Sequence, residues 1–207
     1  MGTGMQSDVV FLIDFGLSKE YRNPNTYAHI PYKTNLGLTG TATFASINSH
    51  LGLELGRRDD LESLAYVLIY FLRGRLPWQD FKSGSQRILR HKQKSSNLCR
   101  GLPAEFATFL QYSRSLGFEE VPDYQYISDL FKGLSSREGL ENVAAFDWEL
   151  ANADAGLPPK HREGYVLSLI SYPYSHVELC LGCAPRHANA SILITLCSHN
   201  PLPSPHI

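Results

Sequence analysis

The stretch "RRDDLESLAYVLIYFLRG", residues 57–74, decides how the rest of this 207-residue chain is read. Asp59 reads as an N-cap, with Glu62 three residues later in a capping-box arrangement. Arg73 suits the negative end of the helix dipole, and Gly74 can terminate the helix. Between those signals Leu61, Leu64, Val67, Leu68, Ile69, Phe71 and Leu72 cover most of the circumference. A helix that is apolar nearly all round must be buried. This one is too short to span a bilayer, so it reads as the core helix of a mainly α domain.

Outward from it, two more helices are predicted. "PAEFATFLQYSRSLGF" (103–118) starts at a Pro, carries Phe106, Phe109 and Leu110 at helical spacing, and reaches Gly117. "PDYQYISDLFKGLSSREG" (122–139) presents Tyr126, Ile127, Leu130 and Phe131 as its inner face. The basic stretch after "LPWQ" (76–79) reads as a short helix and a loop, and "FDWEL" (146–150) as an anchor for the end of the domain. Upstream, Val9 to Ile13 reads as a short buried strand ending at a Gly-containing turn. Residues 14–46 show no period and carry Gly, Pro, Asn and Thr at short intervals. A loop that long within a compact domain is usually functional.

Composition changes after Gly156. Residues 157–207 hold seven of the twelve Pro, five of the eight His and three of the four Cys, with only Glu163 and Glu178 as acids. The predicted organisation is therefore a domain over 1–156 and an irregular tail over 157–207, poorly ordered by composition. In that tail "CLGC" (180–183), His187, Cys197 and His199 are zinc-ligand types. Their later spacings match no known finger, so the residues read as incidental.

Bulk properties exclude more than they indicate. A net charge of −1 gives no electrostatic reason to expect a nucleic-acid or membrane partner. No apolar run reaches membrane-spanning length, and "MGTGMQSDVV" lacks the basic start and apolar core of a signal peptide. Gln6 stands where a myristoylation signal needs Ser or Thr. Four Cys without a secretion signal suggest reduced thiols, hence a cytoplasmic or nuclear location.

Four ordered stretches carry a resemblance: "LIDFGLSKEYRNPNTYAHIPYK", "LTGTATFASINSHLGLELGRRDDLESLAYVLIYFLRGRLPWQ", "LCRGLPAEFATFLQYSRSLGFEEVPDYQYISDLF" and "FDW". Together, over about residues 1–156, they resemble the C-terminal lobe of a casein kinase I family serine/threonine protein kinase. Ser46-Ile47-Asn48 stands where most kinases have Ala-Pro-Glu, a feature particular to that family.

The resemblance implies ATP-dependent phosphoryl transfer to protein substrates, with ATP and Mg²⁺ as cofactors. Asp14, opening Asp14-Phe15-Gly16, would be the metal and nucleotide-binding carboxylate. Residues 17–46 would be the activation segment, in which Thr41, just after Gly40, helps orient the substrate hydroxyl. Asp60 would hold the catalytic loop through backbone amides. Arg137 would pair with position 48, where Asn48 makes the contact a neutral hydrogen bond. Lys33, Arg57 and Arg58 would face acidic or phosphorylated substrates, although Thr43 and Leu36 replace basic residues common in the family.

The Gly-rich loop, the strand Lys and the His-Arg-Asp-type catalytic loop are not found in these 207 residues. The opening "MGTG" resembles the stretch just after the family's catalytic Asn. The chain is therefore expected to be inactive alone. The alternative is a non-catalytic C-lobe interaction module, or a pseudokinase-like product. Without the helices that cover it in an intact kinase, the 57–74 helix is also expected to leave an apolar face exposed, inviting aggregation or a chaperone.

Overall fold

The computed structural model describes residues 15–81, 84–94 and 97–140, together with the pair Ala190–Ser191. The predicted strand over Val9–Ile13, Asp14, the Phe146-Asp147-Trp148 anchor, the domain boundary at 156 and the Cys/His residues of the tail lie outside the described residues.

The architecture is mainly helical. In chain order come β1 (Lys19–Glu20), α1 (Ile47–His50), α2 (Arg57–Arg73), α3 (Ser85–Lys94), α4 (Ala104–Ser115), α5 (Tyr124–Arg137) and β2 (Ala190–Ser191). The two short strands pair antiparallel, Lys19 opposite Ser191 and Glu20 opposite Ala190. Among the described residues no helix is long and apolar enough to cross a membrane.

α2 is the centre. Leu61, Ala65, Tyr66, Val67, Leu68 and Ile69 are all buried, and α4 packs alongside with Phe106, Phe109 and Leu110. From α5, Ile127, Phe131 and Leu134 complete that side. Phe131 meets Phe106 and Phe109 edge-on at ring-centroid distances of 5.4 and 5.5 Å, the arrangement that aromatic quadrupoles favour. Leu76 and Trp78 fold back beneath Tyr66, whose ring lies 5.4 Å from Trp78.

Three expectations about these helices need correction. The N-cap of α2 is Gly56, and Asp59 sits at the third helical position, where its carboxylate accepts from the Gly56 amide at 2.9 Å. Both Asp59 and Glu62 are turned inward onto other partners, so the sequence signal for the helix start was displaced by three residues. Tyr126 is 41% exposed and stacks on Tyr112 at the surface; Leu134, one turn beyond Phe131, takes the inner position instead. The expected uncovered face of α2 is also absent: of its apolar residues only Phe71 is markedly exposed, at 42%. Aromatic residues of α4 and the returning Leu76-Pro77-Trp78 segment supply the cover.

Candidate functional site

The long loop that precedes α1 is tied down along its length. Ser18 turns back to Phe15, its amide 3.0 Å from the Phe15 carbonyl. Lys19 pairs with Glu54. Arg22 and His29 form a bridge that closes a tight excursion, in which the Asn23 carboxamide oxygen accepts from the Asn25 and Thr26 amides at 2.8 and 3.0 Å. Tyr27 at its tip has a φ of 58° and is 66% exposed. Further on, the Glu54 amide donates to Lys33 O at 2.8 Å and the Leu36 amide to Gly52 O at 2.9 Å. Gly52 has a φ of +69°, and a Cβ there would come within 2.6 Å of Leu36 O, so both the turn and the close approach require glycine.

The end of the loop is held by side chains from elsewhere. Thr41 O accepts from the Phe44 and Ala45 amides, both at 2.9 Å. Trp78 Nε1 donates to Thr43 O at 2.8 Å. Lys92, fully buried, donates to Ala42 O at 2.9 Å and also to Ala45 O. Thus carbonyls 42, 43 and 45 are each fixed by a buried side chain, which makes this segment a preorganised surface rather than a free loop.

Asp59 is the hub beneath Ser46-Ile47-Asn48. Its Oδ1 accepts from Ser46 Oγ at 2.7 Å and Asn48 Nδ2 at 2.9 Å, while Oδ2 takes the Gly56 amide and lies 3.6 Å from Arg58 Nε. Ser46 also caps α1, accepting from the Ser49 amide at 3.1 Å. Glu62 follows the same logic one turn on. Its Oε2 accepts the Ile47 amide at 3.2 Å, and its Oε1 takes Tyr66 Oη at 2.5 Å and Arg114 Nε at 3.0 Å. Burial, then the Glu62 charge, push the Tyr66 hydroxyl well above its ordinary range.

Several expected site residues are placed differently. Arg137 forms a two-pronged pair with Glu105, at 2.6 and 3.1 Å, while Asn48 is spent on Asp59. That pair is exposed on the Arg137 side, and the Arg137 hydrogen bonds hold the Glu105 carboxyl below its usual range. Arg57 is buried rather than substrate-facing: its Nη2 donates to Glu119 O at 2.8 Å and its guanidinium lies 4.4 Å from the Tyr21 ring centroid. Arg58 is partly covered, with Nη1 3.2 Å from Leu116 O. Both arginines therefore tie α2 to the segment between α4 and α5, because each planar fork finds a backbone carbonyl and an aromatic face nearby. Lys33 is exposed. Phe15 is 51% exposed and Gly16 is exposed. Gly40 adopts a φ of +88°, Thr41 is half-buried and Asp60 is buried in the first turn of α2.

Glu62 was read only as part of a capping box, and the residues missed by sequence reasoning are His50, Tyr66, Lys92 and Arg114. A signal existed for one of them: Ile88, Leu89 and Lys92 share one stripe of α3, so Lys92 stands on its inward face. Among the described residues no group of three or more His, Cys, Asp or Glu could hold a metal ion. No family model matches the chain.

Proposed function

We propose that this chain is the C-terminal lobe of a casein kinase I-like serine/threonine kinase, whose family reaction is ATP-dependent phosphoryl transfer to Ser or Thr of proteins. The observation that carries the reading is the ordered series of motifs from Asp14-Phe15-Gly16 through Ser46-Ile47-Asn48 to Asp147-Trp148. A central buried α2 and a long loop fastened to its first turns through Asp59 and Glu62 support it. In this reading Asp14 holds Mg²⁺, Thr41 orients the substrate hydroxyl, and Lys33 is the exposed cation left to attract acidic targets. The nucleotide lobe and proton acceptor would have to come from outside these 207 residues.

The test is a chimera. Residues 9–156 replace the corresponding part of an active family member, and transfer from labelled ATP to primed and unprimed acidic peptides is measured. The chain alone should transfer nothing, the chimera should transfer, and Asp14→Asn should abolish it. A chimera that folds and binds ATP but phosphorylates neither peptide would sink the proposal.

One observation favours a second reading, a non-catalytic interaction module. A cleft of about 320 Å³ is lined by Leu17, Leu36, Leu38, Leu53 and Leu55, with the Lys19 and Glu54 pair at its edge. Of these Leu17, Leu36 and Leu38 are exposed, and exposed leucines beside an ion pair suit an apolar peptide segment. Leu36→Ser and Leu38→Ser would then abolish binding of a partner without changing the melting midpoint.

A further inference from the structure

His50 stands in the middle of a polar chain that runs from α3 back to the loop. Its Nδ1 is 2.7 Å from Ser85 Oγ, and its Nε2 is 3.2 Å from Lys92 Nζ and 3.0 Å from Ala42 O. Lys92 in turn reaches Ala42 O and Ala45 O, with its ammonium 4.7 Å from the Tyr66 ring centroid and 5.4 Å from that of Trp78. An ammonium can only donate, so the contact with His50 is attractive only when Nε2 carries a lone pair. Ala42 O, an acceptor 3.0 Å from the same nitrogen, favours the opposite tautomer with the proton on Nε2, and Ser85 Oγ can serve either one.

We propose that Ser85, His50 and Lys92 form a proton-gated clasp, which holds the Ala42–Ser46 end of the loop against α3 while His50 is neutral and loosens it when His50 is protonated. A second ring proton, whichever nitrogen it enters, makes the ring a cation whose Nε2–H faces the Lys92 ammonium at 3.2 Å, two donors and two positive charges opposed. Nε2–H can still turn to Ala42 O, but only by competing with Lys92 for that oxygen.

Among the described residues, the neighbouring elements bring charges that are already engaged elsewhere. From α2, Glu62 is already committed to Ile47 N, Tyr66 Oη and Arg114 Nε. From α4, Arg114 adds another positive charge and donates to Lys92 O at 3.1 Å. Tyr66 keeps its proton, since its hydroxyl is held well above its ordinary range. Burial first, and the Lys92 charge second, lower His50 from 6.5 to about 4. Burial lowers Lys92 to about 7, opposed by Glu62, so lysine is charged throughout the range in which His50 titrates. Above that range a neutral amine keeps two N–H groups for the two carbonyls, and the clasp survives on those.

The consequence reaches beyond one side chain. The clasped segment includes the Phe44 and Ala45 amides that close on Thr41 O, and the His50 amide that donates to Ser46 O. An opening that restores His50 to its ordinary value would become more frequent by up to about 300-fold on acidification through the window, the equilibrium equivalent of the 2.5-unit difference.

Two measurements on the full chain test this. Imidazole nitrogen NMR should show the His50 ring neutral near neutrality, with a midpoint near 4. Amide hydrogen exchange, corrected for intrinsic rates, should show protection of Phe44, Ala45 and His50 falling by up to about 300-fold on acidification while α5 keeps its own. His50→Gln, which can still accept from Lys92, should retain protection in acid. Lys92→Met should raise the His50 midpoint toward its ordinary value. A wild-type midpoint near the ordinary value, or His50→Gln losing protection in parallel with wild type, would overturn the clasp. If neither variant folds, the wild-type titration alone decides.

Discussion

Ser46 donates its hydroxyl to Asp59 Oδ1 at 2.7 Å, and this bond ties the N-cap of α1 to the first turn of α2. Asp59 is 1% exposed and also receives Asn48 Nδ2 and the Gly56 amide. Asp59→Ala would leave three donors buried without a partner. The expected loss is about 3–5 kcal/mol, read as a fall in the urea midpoint at unchanged slope. Asp59→Asn, which keeps an acceptor, should lose less. Asp129→Ala on the exposed face of α5 should be close to neutral.

Arg114 and Glu62 form the second internal pair. Removing Arg114 by substitution to Met leaves the Glu62 carboxylate buried with only neutral donors. Breaking a buried pair from one side costs about 3–5 kcal/mol. Glu62→Gln combined with Arg114→Met should cost clearly less than the sum of the two single changes, which a double-mutant cycle would show.

The Arg137 and Glu105 pair provides the contrast. It has two short hydrogen bonds, but the Arg137 side chain is 55% exposed. Exposed ion pairs are screened and gain little over their hydrated state. Arg137→Met should leave the melting midpoint nearly unchanged, whereas a large drop would mean that this pair has a structural role resembling the buried ones.

Two glycines separate strain from collision. Gly40 and Gly52 both have positive φ, but only Gly52 faces another backbone atom, Leu36 O at 2.6 Å from its would-be Cβ. Gly40→Ala should cost about 1 kcal/mol from conformation alone. Gly52→Ala should cost more, and should also raise hydrogen exchange at the Leu36 amide, whose bond to Gly52 O would be disturbed.

Stability should rise with pH across two windows. His50 and Lys92 are bases lowered by folding, so the unfolded chain binds more protons between each pair of values. The His50 contribution is present above 6.5 and is lost as pH falls toward 4. Lys92 favours folding progressively from about 7 up to 10.5, and Lys92→Met should flatten that part of the curve. Tyr66 and Tyr124 act in the opposite sense: their hydroxyls are raised by burial, so stability declines once pH passes the unfolded tyrosine value of 10.0. Urea midpoints measured against pH in the wild type and Lys92→Met separate these terms.

Helix existence was legible because α2, α4 and α5 repeat apolar side chains at helical spacing, and period is a local property. Phe106, Phe109 and Leu110 face inward as that spacing requires. Helix starts were less legible. A first-turn Asp can cap the helix or accept from the N-cap amide, and Asp59 does the second. Tyr126 and Leu134 show the same limit, since both lie on the stripe of α5, yet Tyr126 meets Tyr112 at the surface and only Leu134 is buried.

Polar side chains carried the least information. A run of Arg57 and Arg58 reads as a basic surface, yet the fold supplies the carbonyls of Glu119 and Leu116, about sixty residues away, and turns both into ties. Asn48 and Arg137 were paired by resemblance, but Asp59 and Glu105 are the nearer partners. The sequence by itself determined that the described chain is mainly helical around residues 57–73, because apolar period and Gly/Pro punctuation are written locally. Only the tertiary structure decided where the buried charges go. Asp59, Glu62, His50, Lys92 and Arg114 meet across separations of up to about sixty residues, and a buried charge is tolerated only where the whole fold brings its partners to it.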